Sequence, residues 1–390
     1  MPRWLPFYLA LVPVFPPLYL AAFAGLRFLR GLAPLTRAGL GAFLGLELLA
    51  ALFSPRPLVS LVLALLRGLF VLGLLGIGVW LKDRRWLGYP LYGYAVVYLV
   101  ALLVSARVLG PALLHWARLV HPYYTTVSLG LAGAVGILLA VGVPRLPRWF
   151  RLGAGALAFV VLLLAGSRGA VLALFVGGTA AALVGGARYL KALGGLGLLT
   201  GLALFLAESE RKVGAITRLL NLKNLSGRDK VWEGAIAAFQ AHPLGGAGPY
   251  QLGPYLEHLY RSGCHLWVAA ERLGLRCPDW LAPFYGAWLI AHNLVLHALG
   301  ETGILGTLGW LVLYLLVGYA AVRARDPLLV AIFAGYLAMS LVDNPTLVPS
   351  LSLAELFWVA MGMALAASGL AVAGEQGVTV EVDQPGLDPA

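Results

Sequence analysis

The stretch AHNLVLHALGETGILGTLGWLVLYLLVGYAAV, Ala291 to Val322, decides the fold. It is a long apolar run that opens with two histidines, an asparagine and a glutamate. Polar groups within a membrane span are costly, so four of them at one end of a span point to a function or to partners elsewhere in the chain.

The rest of the chain repeats the apolar part of this pattern. Of its 390 residues, 61% are hydrophobic and only 12% are charged. The mean hydropathy is +0.87. No soluble domain of this length has that composition, and the apolar runs are continuous rather than alternating. The reading is an all-α polytopic membrane protein with 11 to 12 transmembrane helices, not a β-barrel. Spans are expected near 5–26, 38–53, 58–80, 86–104, 125–142, 152–166, 170–186, 192–207, 291–322, 328–345 and 352–372. They divide the chain into N-terminal helices (1–207), one large polar loop (208–290), C-terminal helices (291–372) and an acidic tail (373–390) expected to be disordered. The N-terminal run is expected to be retained rather than cleaved, because Pro13, Pro16 and Pro17 interrupt it.

The net charge of +11 is not a nucleic-acid footprint, because the basic residues come in short clusters between spans. Alternate short loops hold Arg27, Arg30 and Arg37; Lys82, Arg84 and Arg85; Arg145, Arg148 and Arg151; Arg188 and Lys191; Arg323 and Arg325. The opposite short loops hold only Arg56, Arg107, Arg118 and Arg168. The positive-inside rule puts the first set in the cytoplasm and the 208–290 loop outside. A strict count of eleven spans leaves the N-terminus outside, and one missed half-span early in the chain would reverse it.

The same charge count gathers the chemically interesting residues on the outer face. Arg168 lies in AGSRGAV, where two spans turn. It is either a snorkelling arginine or a fixed cation for a phosphate. In NLSGRDKVWEGAIAAFQAHPLGG, Ser226 and Asp229 fit a capping box, so Arg228 falls in the first turn of a helix that Pro243 and Gly245–Gly246 end. Free amides there already favour an anion, which makes Arg228 either a phosphate ligand or an exposed partner of Glu233.

Asn293, His297 and Glu301 are spaced to share one helical face as a hydrogen-bonded ladder. His292 stands off that face, nearer the aqueous mouth, as a structural histidine or a general base. Asp343, just before the helix-breaking Pro345, is expected near the outer end of its span, orienting a histidine, neutralising an arginine or exposed. Glu47 and Arg67, deep in adjacent spans, read as a buried structural pair. Arg107, His115, Arg118, His121, Tyr123 and Tyr124 read as an interfacial segment whose aromatics suit a head-group belt or a sugar platform. Cys264 and Cys277 lie in the outer loop, where a disulfide is favoured over two free thiols. No acid cluster on the outer side has the spacing to hold a divalent metal, so no metal or cofactor is expected.

SRGAVLAL, then GRDKVWEGAIAAFQAHPLGGAGPYQ, then AHNLVLHALGETGILG, in this order over about 160–345, resemble the O-antigen ligase and O-antigen polymerase superfamily. The resemblance implies a GT-C-type glycosyltransferase of the bacterial inner membrane, without a metal. It would move a glycan from undecaprenyl pyrophosphate to a saccharide, lipid-linked or protein hydroxyl on the outer side. It implies that Arg168 and Arg228 meet the pyrophosphate, that His292 is essential, and that Glu301 and Asp343 support it. A polymerase extending a lipid-linked chain is the alternative, and a transporter or flippase the rival from another class. The eleven spans and the cysteine pair depart from the family pattern.

Overall fold

The computed structural model describes residues 3–110, 118–143, 145–210, 228–256, 274, 276, 289–350 and 353–370, with residues 199–210 as backbone only. All regular structure among them is helical. The chain opens with α1 (Leu5–Leu11) and a 3₁₀ helix (Pro16–Gly31). Then come α2 (Pro34–Leu52), α3 (Pro57–Leu81) and α4 (Pro90–Leu109). The next four are α5 (Thr126–Gly142), α6 (Arg148–Ala165), α7 (Arg168–Leu183) and α8 (Ala187–Glu210). In the polar segment lie α9 (Arg228–Ala241) and the single turn α10 (Gly253–Leu256). The chain closes with α11 (Leu294–Arg323), α12 (Pro327–Met339) and α13 (Leu353–Ala367).

Five helical stretches are long and apolar enough to cross a bilayer: Pro34–Leu52, Pro57–Leu81, Arg84–Leu109, Arg148–Ala165 and Leu294–Arg323. Four shorter apolar helices stand beside them. The protein is an all-α polytopic membrane protein. Its helix starts follow from local chemistry. Pro34, Pro57, Pro90 and Pro327 open α2, α3, α4 and α12, where the missing amide costs nothing and the fixed φ is already helical. Thr125 and Ser167 cap α5 and α7 through their hydroxyls. Asp326 caps α12 by accepting from Leu328 and Leu329, and its other oxygen takes Arg84 at 2.7 Å.

The helices approach closely where glycine permits it. A Cβ on Gly177 of α7 would stand 2.4 Å from the Ala331 carbonyl oxygen of α12. One on Gly335 of α12 would stand 2.7 Å from that of Ala173. Van der Waals contact between backbones, rather than hydrophobic transfer, holds such pairs in lipid. This contact fixes the start of α7 beside the end of α12, which matters for the site below.

The first expected span, 5–26, is a broken one. Pro13, Pro16 and Pro17 remove backbone donors, and α1 ends at Leu11 before the 3₁₀ helix begins at Pro16. The break orphans carbonyls that a continuous helix would satisfy. Tyr124 donates its hydroxyl to the Pro13 oxygen at 2.9 Å, and Tyr123 donates to that of Val14 at 2.7 Å. The two arms of the hairpin are pinned by the Tyr8 hydroxyl, which donates to the Leu18 carbonyl. Trp4 then lines the same cavity as Arg27, Trp80 and Trp86. The hairpin therefore brings Trp4 back beside Arg27, in one of the basic loops.

This corrects the reading of Tyr123 and Tyr124 as a belt or sugar platform. Tyr124 is 1% exposed and both hydroxyls are committed to the break. His121 holds the turn, its Nδ1 accepting from the Tyr123 and Tyr124 amides at 3.3 and 3.1 Å. The other expectations from 208–290 fare unevenly. Cys264, Cys277, His115, the Ser226 cap and the 373–390 tail all lie outside the described residues.

Burial lowers the His121 pKa from 6.5 to about 4. A histidine kept neutral in the fold contributes stability at neutral pH, and that contribution is lost as pH falls from about 6.5 to about 4. Thermal unfolding of purified protein in detergent is expected to show a midpoint that drops across this window. In His121→Asn the drop is expected to be smaller, and an identical slope in the variant counts against this role.

Candidate functional site

The starts of α7 and α11 meet at the segment that follows α12. Gly166, in a left-handed conformation at φ 58°, ends α6, and Ser167 caps α7, so Arg168 is the first residue of α7. Arg118 joins this turn by donating Nε to the Ala165 carbonyl at 2.7 Å. Its place beside Arg168 had no signal in the sequence. Next to Arg168, Gly169 stands against Val342: a Cβ there would meet the valine's Cγ2 at 2.8 Å. Val342 precedes Asp343.

His292 meets this same segment. Its Nδ1 lies 3.1 Å from Asp343 Oδ1, with the histidine side chain 27% exposed and the aspartate 9%. The segment is stitched further. Leu294 donates its amide to the Ser340 carbonyl at 2.9 Å, and Asn293 Nδ2 donates to that of Leu341 at 3.0 Å. Those bonds take up carbonyls at the end of α12, which stops at Met339. Asp343 is thus in the loop beyond the helix, not within a span running to 345, and of its three readings the structure selects the contact with a histidine.

Arg228 is brought in by its helix. It is the first described residue of α9, which ends at Ala241 ahead of Pro243, as the spacing of the segment predicts. Val231, Ala235 and Ala238 pack in one buried cluster with Leu289 and Ala291. Ala291 is the neighbour of His292. His292 and Asp343 thus meet beside the start of α7, where Arg168 stands, and the helix that carries Arg228 shares a buried cluster with Ala291.

The expected ladder Asn293–His297–Glu301 is divided. α11 begins at Leu294, and Asn293 is its N-cap, its Oδ1 accepting from the Leu296 amide at 3.0 Å. An asparagine that close to a helix start satisfies an orphan amide better than it serves a side-chain ladder. His297 and Glu301 do meet, with Nε2 3.4 Å from Oε1, and both are buried. The imidazole's other nitrogen accepts from the Ala291 amide at 3.4 Å.

Glu301 is also where distant helices join. Arg67 Nη1 lies 2.5 Å from Glu301 Oε2, and Arg67 Nη2 lies 2.6 Å from Glu47 Oε2. The buried Glu47–Arg67 pair read from adjacent spans is present, and it has a third member. Glu301 Oε1 accepts from the Tyr250 amide at 2.8 Å. Two residues on, Gly303 breaks α11 at φ 58° and ψ −162°. The broken turn bonds to the segment after α9: Ala247 to Gly300, Gly248 to Glu301 and Ile304 to Pro243, each at 2.8 to 2.9 Å. A Cβ on Gly303 would lie 2.4 Å from the Leu244 backbone, so only glycine fits. Gly245 and Gly246 lie in the turn after α9, with Gly245 against the end of α2 and Gly246 against Glu301 and Thr302 of α11. Among the described residues, no group of three or more His, Cys, Asp or Glu is placed to hold a metal ion.

Asn293→Ala removes the cap that links His292 to α11 and should cost about 1 kcal/mol. Hydrogen exchange of amides 294–297 is expected to speed up about fivefold, the factor that energy gives in a local opening equilibrium. Unchanged exchange there would show that the cap is not what holds this turn.

Residues 153–311 match the family model described as O-antigen ligase. That window contains Arg168, Arg228, His292 and Glu301, and it excludes Arg67 and Asp343. No curated protein matches the chain. The match spans the three motifs in their order, on a polytopic helical fold, so this part of the chain is similar to the O-antigen ligase family.

Proposed function

We propose that the protein transfers a glycan from undecaprenyl pyrophosphate to an acceptor hydroxyl on the outer face of the cytoplasmic membrane, by a single inverting displacement. The observation that carries this reading is the partly exposed His292 held by Asp343 at 3.1 Å, in the segment that packs against the start of α7 at Arg168.

The chemistry follows from that arrangement. With Nδ1 turned to the Asp343 carboxylate, His292 keeps Nε2 for an acceptor hydroxyl. The hydroxyl oxygen forms a bond to the anomeric carbon, and the bond from that carbon to the phosphate oxygen breaks. The hydroxyl proton passes to His292 Nε2, and the electron pair leaves on the lipid pyrophosphate. Arg168 and Arg228 neutralise the charge gathering there, helped by the amides of their helix starts. Asp343 stabilises the imidazolium that results. The excess of basic residues in the opposite set of loops, thirteen against four, supports an outer location for the site. The acceptor is a saccharide, a lipid-linked repeat or a protein hydroxyl. A lipid-linked repeat would make the protein a polymerase, and a saccharide on lipid A a ligase.

The test is purified protein in lipid nanodiscs with a lipid-pyrophosphate glycan and each acceptor class, with products read by mass. His292→Ala is expected to lose at least about 100-fold in transfer while still binding donor. Arg168→Ala and Arg228→Ala are expected to weaken donor binding. A His292→Ala protein that turns over normally but fails to bind donor would overturn the base role. Movement of the glycan lipid across liposomes without any acceptor would favour a transporter.

Metal independence is checked separately. Full activity is expected in chelator, and a strict requirement for Mg²⁺ would end the reading in which the arginines alone hold the pyrophosphate.

A further inference from the structure

Arg67 is 3% exposed in the middle of an apolar helix, which is an expensive place for a cation. Replacing such buried ions with apolar side chains often leaves a fold equally stable. Packing alone therefore gives no account of its presence. Its contacts do. The guanidinium forks between Glu47 of α2 and Glu301 of α11. The rings of Tyr250 and Trp310 lie 5.3 and 5.5 Å from its central carbon.

Glu301 passes this constraint in two directions. Its carboxylate receives the Tyr250 amide and its carbonyl the Gly248 amide, both in the segment that continues the Arg228 helix. It also ends the outer arm of α11, Leu294 to Thr302, just before the Gly303 break. The far end of that arm carries Asn293 and His292, bonded to the loop after α12. One end of the arm is thus set by Arg67 and the other by Asp343.

We propose that Arg67 is a positioning residue for glycan transfer: acting through Glu301, it sets the outer arm of α11, and so His292, relative to the helix that carries Arg228. The proposal rests on the transferase reading above. Arg67 touches neither His292 nor Arg228 in any contact described here, and it lies outside the segment that matches the family. Its effect on rate comes through geometry, where a displacement of about 1 Å is enough to cost about 100-fold.

Arg67→Lys is the discriminating variant. It keeps one cation between the two carboxylates but not the planar fork that reaches both. Expected are a thermal midpoint close to wild type, a kcat about 100-fold lower, and faster hydrogen exchange over 289–302 with α4 and α5 unchanged. In a His292→Ala background the same substitution is expected to change the residual rate less than about threefold, because it acts through the histidine. If Arg67→Lys does not fold, Arg67→Met/Glu47→Gln/Glu301→Gln removes all three charges together and leaves no buried ion unpaired. Wild-type turnover in whichever variant folds, or an undiminished loss in the His292→Ala background, would overturn the proposal. If the wild-type protein transfers no glycan, the transferase reading fails by itself. Exchange over 289–302 then decides alone whether Arg67 holds the arm, and unchanged exchange overturns it.

Discussion

One guanidinium shared by two carboxylates holds the middle of the molecule together. Arg67, Glu47 and Glu301 come from three helices, are all buried, and meet within 2.6 Å. None of the three tolerates the loss of the others, since an ion left alone in such a place carries its full desolvation cost. The trio therefore fixes α2, α3 and α11 more rigidly than the apolar contacts around it. Phe43 and Trp310, whose rings lie 4.9 Å apart, fill the space between α2 and α11. Those rings supply contact area, while the charges supply the registration.

Around that anchor, the site is assembled from helix starts. α7 and α11 each bring a capped helix start to this face, with Arg168 as the first residue of α7 and His292 just before the Asn293 cap of α11. Arginines at helix starts oppose the helix dipole and gain from an anion that satisfies both the side chain and the amides. His292 adopts a positive φ of 50°, a conformation uncommon outside glycine that histidine takes more readily than most side chains. The bonds from Leu294 to Ser340 and from Asn293 to Leu341 fix the two residues that follow it.

Features set by local chemistry were legible in the sequence. The turn at Gly166–Ser167 and the end of α9 at Ala241 follow from caps and breakers a few residues apart. The Glu47–Arg67 pair was visible because it joins neighbouring spans. Its third member was not, because Glu301 is 234 residues from Arg67 and no spacing rule reaches that far. The ladder through Asn293 failed for a local reason. Helical periodicity was extended one residue beyond the true start, where asparagine serves better as a cap. The interruption of the first run was legible in Pro13, Pro16 and Pro17, and the structure breaks there, between α1 and the 3₁₀ helix. Its repair by Tyr123 and Tyr124 is again a contact across about 110 residues.

The break at Gly303 also fixes a height. Below it, Ile304 to Arg323 is a helix of about 30 Å, the thickness of a bilayer's hydrocarbon layer. Its lipid-facing stripe of Ile304, Leu308, Leu311, Leu315, Tyr319 and Val322 begins immediately after the break. That lower arm accounts for the whole crossing by itself. The other arm, Leu294 to Thr302, adds about 13 Å on the far side of the break and ends at the Asn293 cap and His292. The kink thus separates a length of α11 that matches membrane thickness from a length held by bonds to neighbouring loops.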